Sequence, residues 1–220
     1  MSIPPPQSPH PEPKRGRRKQ ARPGELLDAA LDLFVEKGYA ATKVDEVAAR
    51  AGVSKGTLFL YFPSKEELFK AVVRQNISGR FDEWGEELRS FPGTSSELLH
   101  YCFHSWWERV GATKASGLGK LMLSEANNFP EIAAFYRQEV IEPGHDLVRR
   151  ILQRGIDRGE FRPVNLDMAI YLVLAPLMFL MLAQPTMSLC IPDPCKFSAE
   201  EYIRLQADNV LQGLCVRTAH

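Results

Sequence analysis

Apolar side chains recur at helical spacing along most of the chain, and turn residues cut that pattern into short blocks. Leu27, Ala30, Leu31 and Phe34 share one face of a first helix expected over residues 23–37, with Gly38 as its stop. Val44, Val47, Ala48 and Ala51 repeat at the same spacing behind a Thr-x-x-Asp box, Thr42 and Asp45, and end at Gly52. Ser54 caps a third helix over residues 55–61, whose Leu58, with the following Phe62, turns back onto the helices before it. Pro63 forbids continuation, and Ser64 with Glu67 forms a capping box that starts a fourth helix at Lys65. This helix is expected to run through Val72, Val73, Ile77, Phe81 and Trp84 until Phe91-Pro92-Gly93 interrupts it.

Beyond residue 94 the pattern stays helical, and none of it is strand-like. The segment 96–110 is dense in aromatic residues, including Phe103, Trp106 and Trp107; residues 117–127 turn Leu118, Leu121 and Met122 inward. Pro130 opens a helix carrying Ile132, Phe135, Tyr136 and Val140 up to Pro143-Gly144, and a further helix runs to Gly159. Residues 168–183 are sixteen uncharged, apolar positions. They fall short of a membrane span of about 18–20 residues and lack a basic flank, so we expect a buried helix completed by a symmetry-related copy. Ser198 and Glu201 cap a last helix. Together the last two helices predict a homodimer interface through Leu172, Leu177, Leu180, Ile203, Val210 and Leu214.

The second and third helices, meeting across a Gly-Val turn, have the form of a helix-turn-helix. The start of the second helix of such a pair brings side chains to base edges in a major groove. Ser54, Lys55, Gly56 and Thr57 occupy that place here, and Gly56, which costs a helix about 1 kcal/mol against alanine, suits close approach to a duplex. Residues 42–68, together with Ala29-Ala30, Leu33-Phe34 and Gly38-Tyr39, resemble the DNA-binding region of the TetR (tetracycline-repressor) family of bacterial regulators. That resemblance implies an all-α chain: a basic arm over residues 1–21, a three-helix DNA-binding domain over 22–70, and an effector-binding and dimerisation bundle over 71–220. It further implies that Thr42 meets phosphate at the start of its helix, that Lys55 and Thr57 lie in the groove, and that Lys65 pairs with phosphate; Lys43 is expected among the DNA-binding residues beside Thr42. The family usually has tyrosine where Phe59 stands; Phe59 offers a ring to a thymine methyl instead, and Tyr61 supplies a hydroxyl nearby.

Charge sharpens this picture. The whole chain has a formal net charge of zero, but residues 1–75 hold thirteen Lys/Arg against nine Asp/Glu, a balance of +4, leaving −4 for the remainder. Lys14, Arg15, Arg17, Arg18, Lys19 and Arg22 form a run without an acid behind a proline-rich start that cannot bury surface. This arm is expected to lie along phosphates. Cys102, Cys190, Cys195 and Cys215 have neither Cys-x-x-Cys spacing nor histidines at zinc-ligand distance, and read as reduced thiols; with no apolar core near Met1, the expected location is the cytoplasm.

No phosphate loop, nucleophile elbow or His-Glu-x-x-His pattern is present, so no enzyme, metal or cofactor is expected. His100 and His104 stand one turn apart without a third ligand. The expected partners are an operator in double-stranded DNA, a second copy of the chain, and a small apolar or aromatic effector held by Phe103, Trp106, Met122, Phe135 and Phe179, with Glu125 facing any cationic group. The alternative is a body that binds a protein instead. Deleting residues 1–19 is expected to weaken DNA binding and flatten the dependence of log K on log salt, each lost phosphate contact removing about one unit of slope. An unchanged slope in titrations at several salt concentrations would remove the arm from the interface.

Overall fold

The helices of the described residues pack into two apolar clusters. The computed structural model describes residues 23–183 and 198–216. The expected arm contacts Arg15, Arg17 and Arg18, and the cysteines Cys190 and Cys195, lie outside the described residues. Along the chain run α1 (Pro23–Ala41), α2 (Val44–Arg50), α3 (Lys55–Tyr61), α4 (Lys65–Asn76) and α5 (Phe81–Ser90). They are followed by α6 (Ser95–Trp106), α7 (Ser116–Glu125), α8 (Pro130–Tyr136), α9 (Glu142–Asp157), α10 (Leu166–Ala183) and α11 (Ala199–Leu214). Among the described residues the one β element is an isolated bridge between Phe161 and Cys215. The chain is thus all-α, with a helix-turn-helix at its start and a helical body behind it.

The caps explain most boundaries. The hydroxyls of Ser54, Ser64, Thr94 and Ser198 each accept the N–H of the residue three positions on, and at α6 Glu97 completes the reciprocal box. At Ser64 the cap holds while the Glu67 carboxylate pairs with Lys70 instead. α2 departs from expectation: its N-cap is Lys43, without a side-chain bond, because the Thr42 hydroxyl is turned inward. α2 ends in a Schellman turn, with Gly52 at φ 71° and Val53 N–H donating to the Ala48 carbonyl.

Two expected boundaries move. The fourth helix does not run through to Phe91; it stops at Asn76, whose side-chain amide donates to the Val72 carbonyl, and a 3₁₀ turn over Ser78–Arg80 precedes α5. Asn76, Ser78 and Gly79 are poor helix formers in succession, and buried Ile77 is held in a non-helical conformation between them. Conversely, Pro143 does not end its helix. A π turn over Arg137–Ile141 re-registers the backbone so that the proline falls in the first turn of α9, where no donor is needed.

Burial divides the molecule in an unexpected place. One cluster joins α1–α4 to Val110, Ala115, α7 and α8; the other joins α5, α6, α9, α10 and α11. The core of the DNA-binding head therefore continues across residue 70 into the body, rather than closing on itself. Leu27, Phe34, Val47 and Leu58 are buried in it as expected, with Val44 partly covered. Phe34 stacks on Tyr39 and meets Phe69 edge-on, at centroid distances of 5.7 and 5.3 Å. Phe34→Ala is therefore expected to cost about 3–5 kcal/mol in urea unfolding; a loss below about 1 kcal/mol would show that the head does not depend on this ring.

Candidate nucleic-acid interface

α3 presents one face outward because only Leu58 among its residues is fully buried. Lys55, Gly56, Phe59, Leu60 and Tyr61 are exposed, and Thr57 is half-buried. The Lys55 ammonium lies 2.8 Å from Asp45 and 5.9 Å from the centre of the Phe59 ring, so it is parked across α2 and α3 rather than extended. An ion pair this open to water is held weakly, and a phosphate or a guanine edge competes readily for the lysine. The Thr57 hydroxyl is 2.8 Å from that of Ser54 inside the cap. A Cβ on Gly56 would meet only the Ser54 hydroxyl, at 3.8 Å, so the packing inside the protein does not require a glycine there. Lys43 and Ser54 are exposed beside this face.

Two residues expected at the phosphates are committed elsewhere. Thr42 is 2% exposed, and its hydroxyl is directed at the carbonyls of Gly38 (2.7 Å) and Leu33 (3.1 Å). The Lys65 ammonium, expected to pair with phosphate, donates to the carbonyls of Tyr39, Ala40 and Thr42 at 2.9, 3.2 and 3.2 Å, which uses all three of its protons. It also lies 4.4 Å from the centre of the Tyr39 ring. Burial holds the Lys65 ammonium below the usual lysine range, and the negative charge of Glu125 partly restores it. Both side chains fasten the turn between α1 and α2, because Gly38 at φ 84° breaks the helix and leaves these carbonyls without helical partners.

Glu125 closes the same turn from the body. At the end of α7, its carboxylate accepts the Ala40 N–H at 3.2 Å and the Asn128 side-chain amide at 3.4 Å. It was expected to face an effector; the structure points it at the head. Tyr39 sits among Phe34, Phe69 and Phe129, the last at 4.8 Å, and burial with the charges of Glu66 and Glu131 pushes its hydroxyl up to about 12. Arg74 of α4 makes a bidentate pair with Glu139, and Lys114 reaches Asp32 of α1 at 2.5 Å. No sequence motif marks the Glu125 contact, which joins residues 85 positions apart.

The other nominated residues are not brought to one place. Phe103 belongs to the second cluster, Met122 and Phe135 to the first, and Trp106 touches both. Phe179 is 50% exposed on the outer side of α10, because an all-apolar helix does not reveal which side faces its own core. For the same reason the interface set is corrected: Leu177, Leu180, Ile203 and Leu214 are buried within the protomer, Val210 is half-buried, and of the six Leu172 alone is well exposed, at 72%. The outward stripe of α10 is Met168, Tyr171, Leu172, Ala175 and Phe179. A surface groove of about 500 Å³ is lined by Phe81, Gly85 and charged residues of α5 and α9, and by none of those nominated. Among the described residues no group of three His, Cys, Asp or Glu side chains could hold a metal, and no helix is long and apolar enough to cross a membrane.

Comparison with known proteins agrees with this geometry. Residues 26–72 match the family of bacterial regulatory proteins, tetR family, and residues 97–188 match the tetracyclin repressor-like C-terminal domain. The fatty acid metabolism regulator protein of Bacillus subtilis is 36% identical over 150 residues, covering 66% of this chain and 74% of that protein. The Escherichia coli regulator RutR is 44% identical over 78 residues, which is 36% of this chain and 35% of RutR. The crystal structure of the transcriptional regulator FadR from Bacillus subtilis in complex with stearoyl-CoA superposes with a TM-score of 0.68 at 17% identity, covering 87% of this chain and 99% of that one. Replacing Lys65 with methionine is expected to cost about 1–3 kcal/mol of stability without any DNA present, since it strands three carbonyls; urea unfolding that matches the wild type would return Lys65 to a phosphate role.

Proposed function

Because the chain belongs to the TetR family of bacterial DNA-binding transcription regulators, we propose that it is a homodimeric repressor, released from an inverted-repeat operator when an apolar effector enters its body. The observation that carries this reading is the shared core. Leu58 of the recognition helix and Phe135 of α8 belong to one buried cluster, so a change in the body is transmitted mechanically to the head.

The stripe on α10 supports pairing. Met168, Leu172, Ala175 and Phe179 follow one another at intervals of four, three and four residues, the spacing of a helix seam, and no charge interrupts them. A continuous apolar face of this kind on a domain surface is cover for another protein surface. A second copy supplies it with two-fold symmetry, and two heads then address two half-sites.

For the effector, the relatives suggest a long acyl chain: one is named for fatty acid metabolism, and another is a complex with stearoyl-CoA. Half-buried Trp84, Trp106 and Phe129 edge the first cluster and are the rings such a chain would part. The Trp84 indole N–H and the Arg80 Nε are buried without a protein acceptor, and a carbonyl or carboxylate at the head of the ligand would satisfy them. Phe129 touches Tyr39, whose carbonyl Lys65 holds, so displacing Phe129 loads the turn that positions α2.

Selection of bound sequences from random DNA tests the proposal. The expected product is an inverted repeat, whose complex dissociates as a long-chain acyl-CoA or free fatty acid is titrated in. Recovery of a single half-site without a repeat would contradict the dimer, and a complex indifferent to both ligands would contradict the effector class.

A further inference from the structure

The recognition helix exposes three large apolar residues in a row, Phe59, Leu60 and Tyr61, and Leu60 at 84% is the most exposed large hydrophobic residue among those described. A lone exposed leucine carries no message, but an apolar run on the outward face of a helix does. At about 100° per residue, Gly56 and Leu60 both lie about 160° from buried Leu58, at the centre of the exposed face. Lys55 and Phe59 form the neighbouring row, with the lysine over the ring. Gly56 leaves the space beside Leu60 empty, so nothing on the helix shields the leucine from a surface laid against it. Polar alternatives on this face are few: the Thr57 hydroxyl is engaged with Ser54, which leaves Lys55, released from its open pair with Asp45, as the one charged reader beside the apolar run.

We infer that this protein reads its operator chiefly through thymine 5-methyl groups, with Leu60 as the central specificity residue and Phe59 beside it. The inference rests on the DNA-binding reading of α3 and adds which chemical feature of the duplex that helix selects. The thymine methyl is the one apolar group a base pair displays in the major groove, and it is displayed by no other base. Burying a methyl against an aliphatic side chain is worth about a fourfold change in affinity, and a two-fold symmetric site applies the factor twice. The cost of placing an uncovered leucine in water at the tip of the head is recovered only on DNA carrying thymine at the matching step.

The test uses the full-length protein and the operator recovered by selection, with each thymine replaced in turn by deoxyuridine, which keeps base pairing and deletes the methyl. For the wild type, one or two thymines per half-site are expected to lose about fourfold on replacement, and about fifteenfold when both half-sites are changed. Leu60→Ala is expected to bind the unmodified operator more weakly and to lose nothing further at the thymine it contacts, while Phe59→Ala removes the response at an adjacent position. Both side chains are exposed, and thermal unfolding equal to the wild type shows that the variants are folded. Tight binding by the wild type that ignores every deoxyuridine, or a full methyl response that survives Leu60→Ala, overturns the inference while leaving DNA binding intact. Failure of the wild type to select any sequence would overturn the DNA-binding reading along with it.

Discussion

One ammonium group, gathering three carbonyl oxygens where α1 breaks, sets the geometry on which the rest depends. Gly38 leaves the helix at positive φ, so the carbonyls that follow point away from their usual donors. Lys65 collects those of Tyr39, Ala40 and Thr42, Thr42 itself covers that of Gly38, and Glu125 takes the Ala40 N–H from the opposite side. The turn so fastened fixes where α2 begins, and α2 with its Gly52 turn fixes α3. A residue at the start of α4 and another at the end of α7 thus decide the aim of α3.

The same contacts explain why the molecule divides into two cores that do not follow its sequence domains. α1 packs on α4 and α7 alike, and the ring of Tyr39 lies between Phe34 of its own helix and Phe129 of the body. The second core, built by α5, α6, α9, α10 and α11, holds one face of α10 and leaves Met168, Tyr171, Leu172 and Phe179 exposed on the other. The half-buried Phe129 touches Tyr39 at the turn directly, whereas α10 reaches the turn only through α7, where Met181 packs beside Gly119. On the proposed function, effector response would fall to the first core and dimer assembly to the second.

Much of this was legible in the residues because local chemistry wrote it. The hydroxyl caps at Ser54, Ser64, Thr94 and Ser198 and the glycine at 52 mark helix ends that need no tertiary help. Thr42 misled for an instructive reason: a threonine at a helix start is a cap by default, but here two carbonyls nearby in space compete for its hydroxyl. Lys65 misled in the same way, since a lysine near a phosphate surface looks like a counter-ion until its tertiary acceptors are known. In α10 every position is apolar, so periodicity carries no information about which side is inside, and only the packed neighbours show that Leu177 and Leu180 face the core while Leu172 does not. Leu60 belongs to no motif and is marked out only by its exposure once the helix is packed.

The claim that head and body share one core is tested most directly by native-state hydrogen exchange across α1 and α7. If the turn at residues 38–42 binds them together, the amides of α1, including the Ala40 N–H held by Glu125, and those of α7 open with a common free energy that falls together in low denaturant. Exchange of α1–α4 at an opening free energy several kcal/mol below that of α7 would mean that the head unfolds by itself, and would contradict the account.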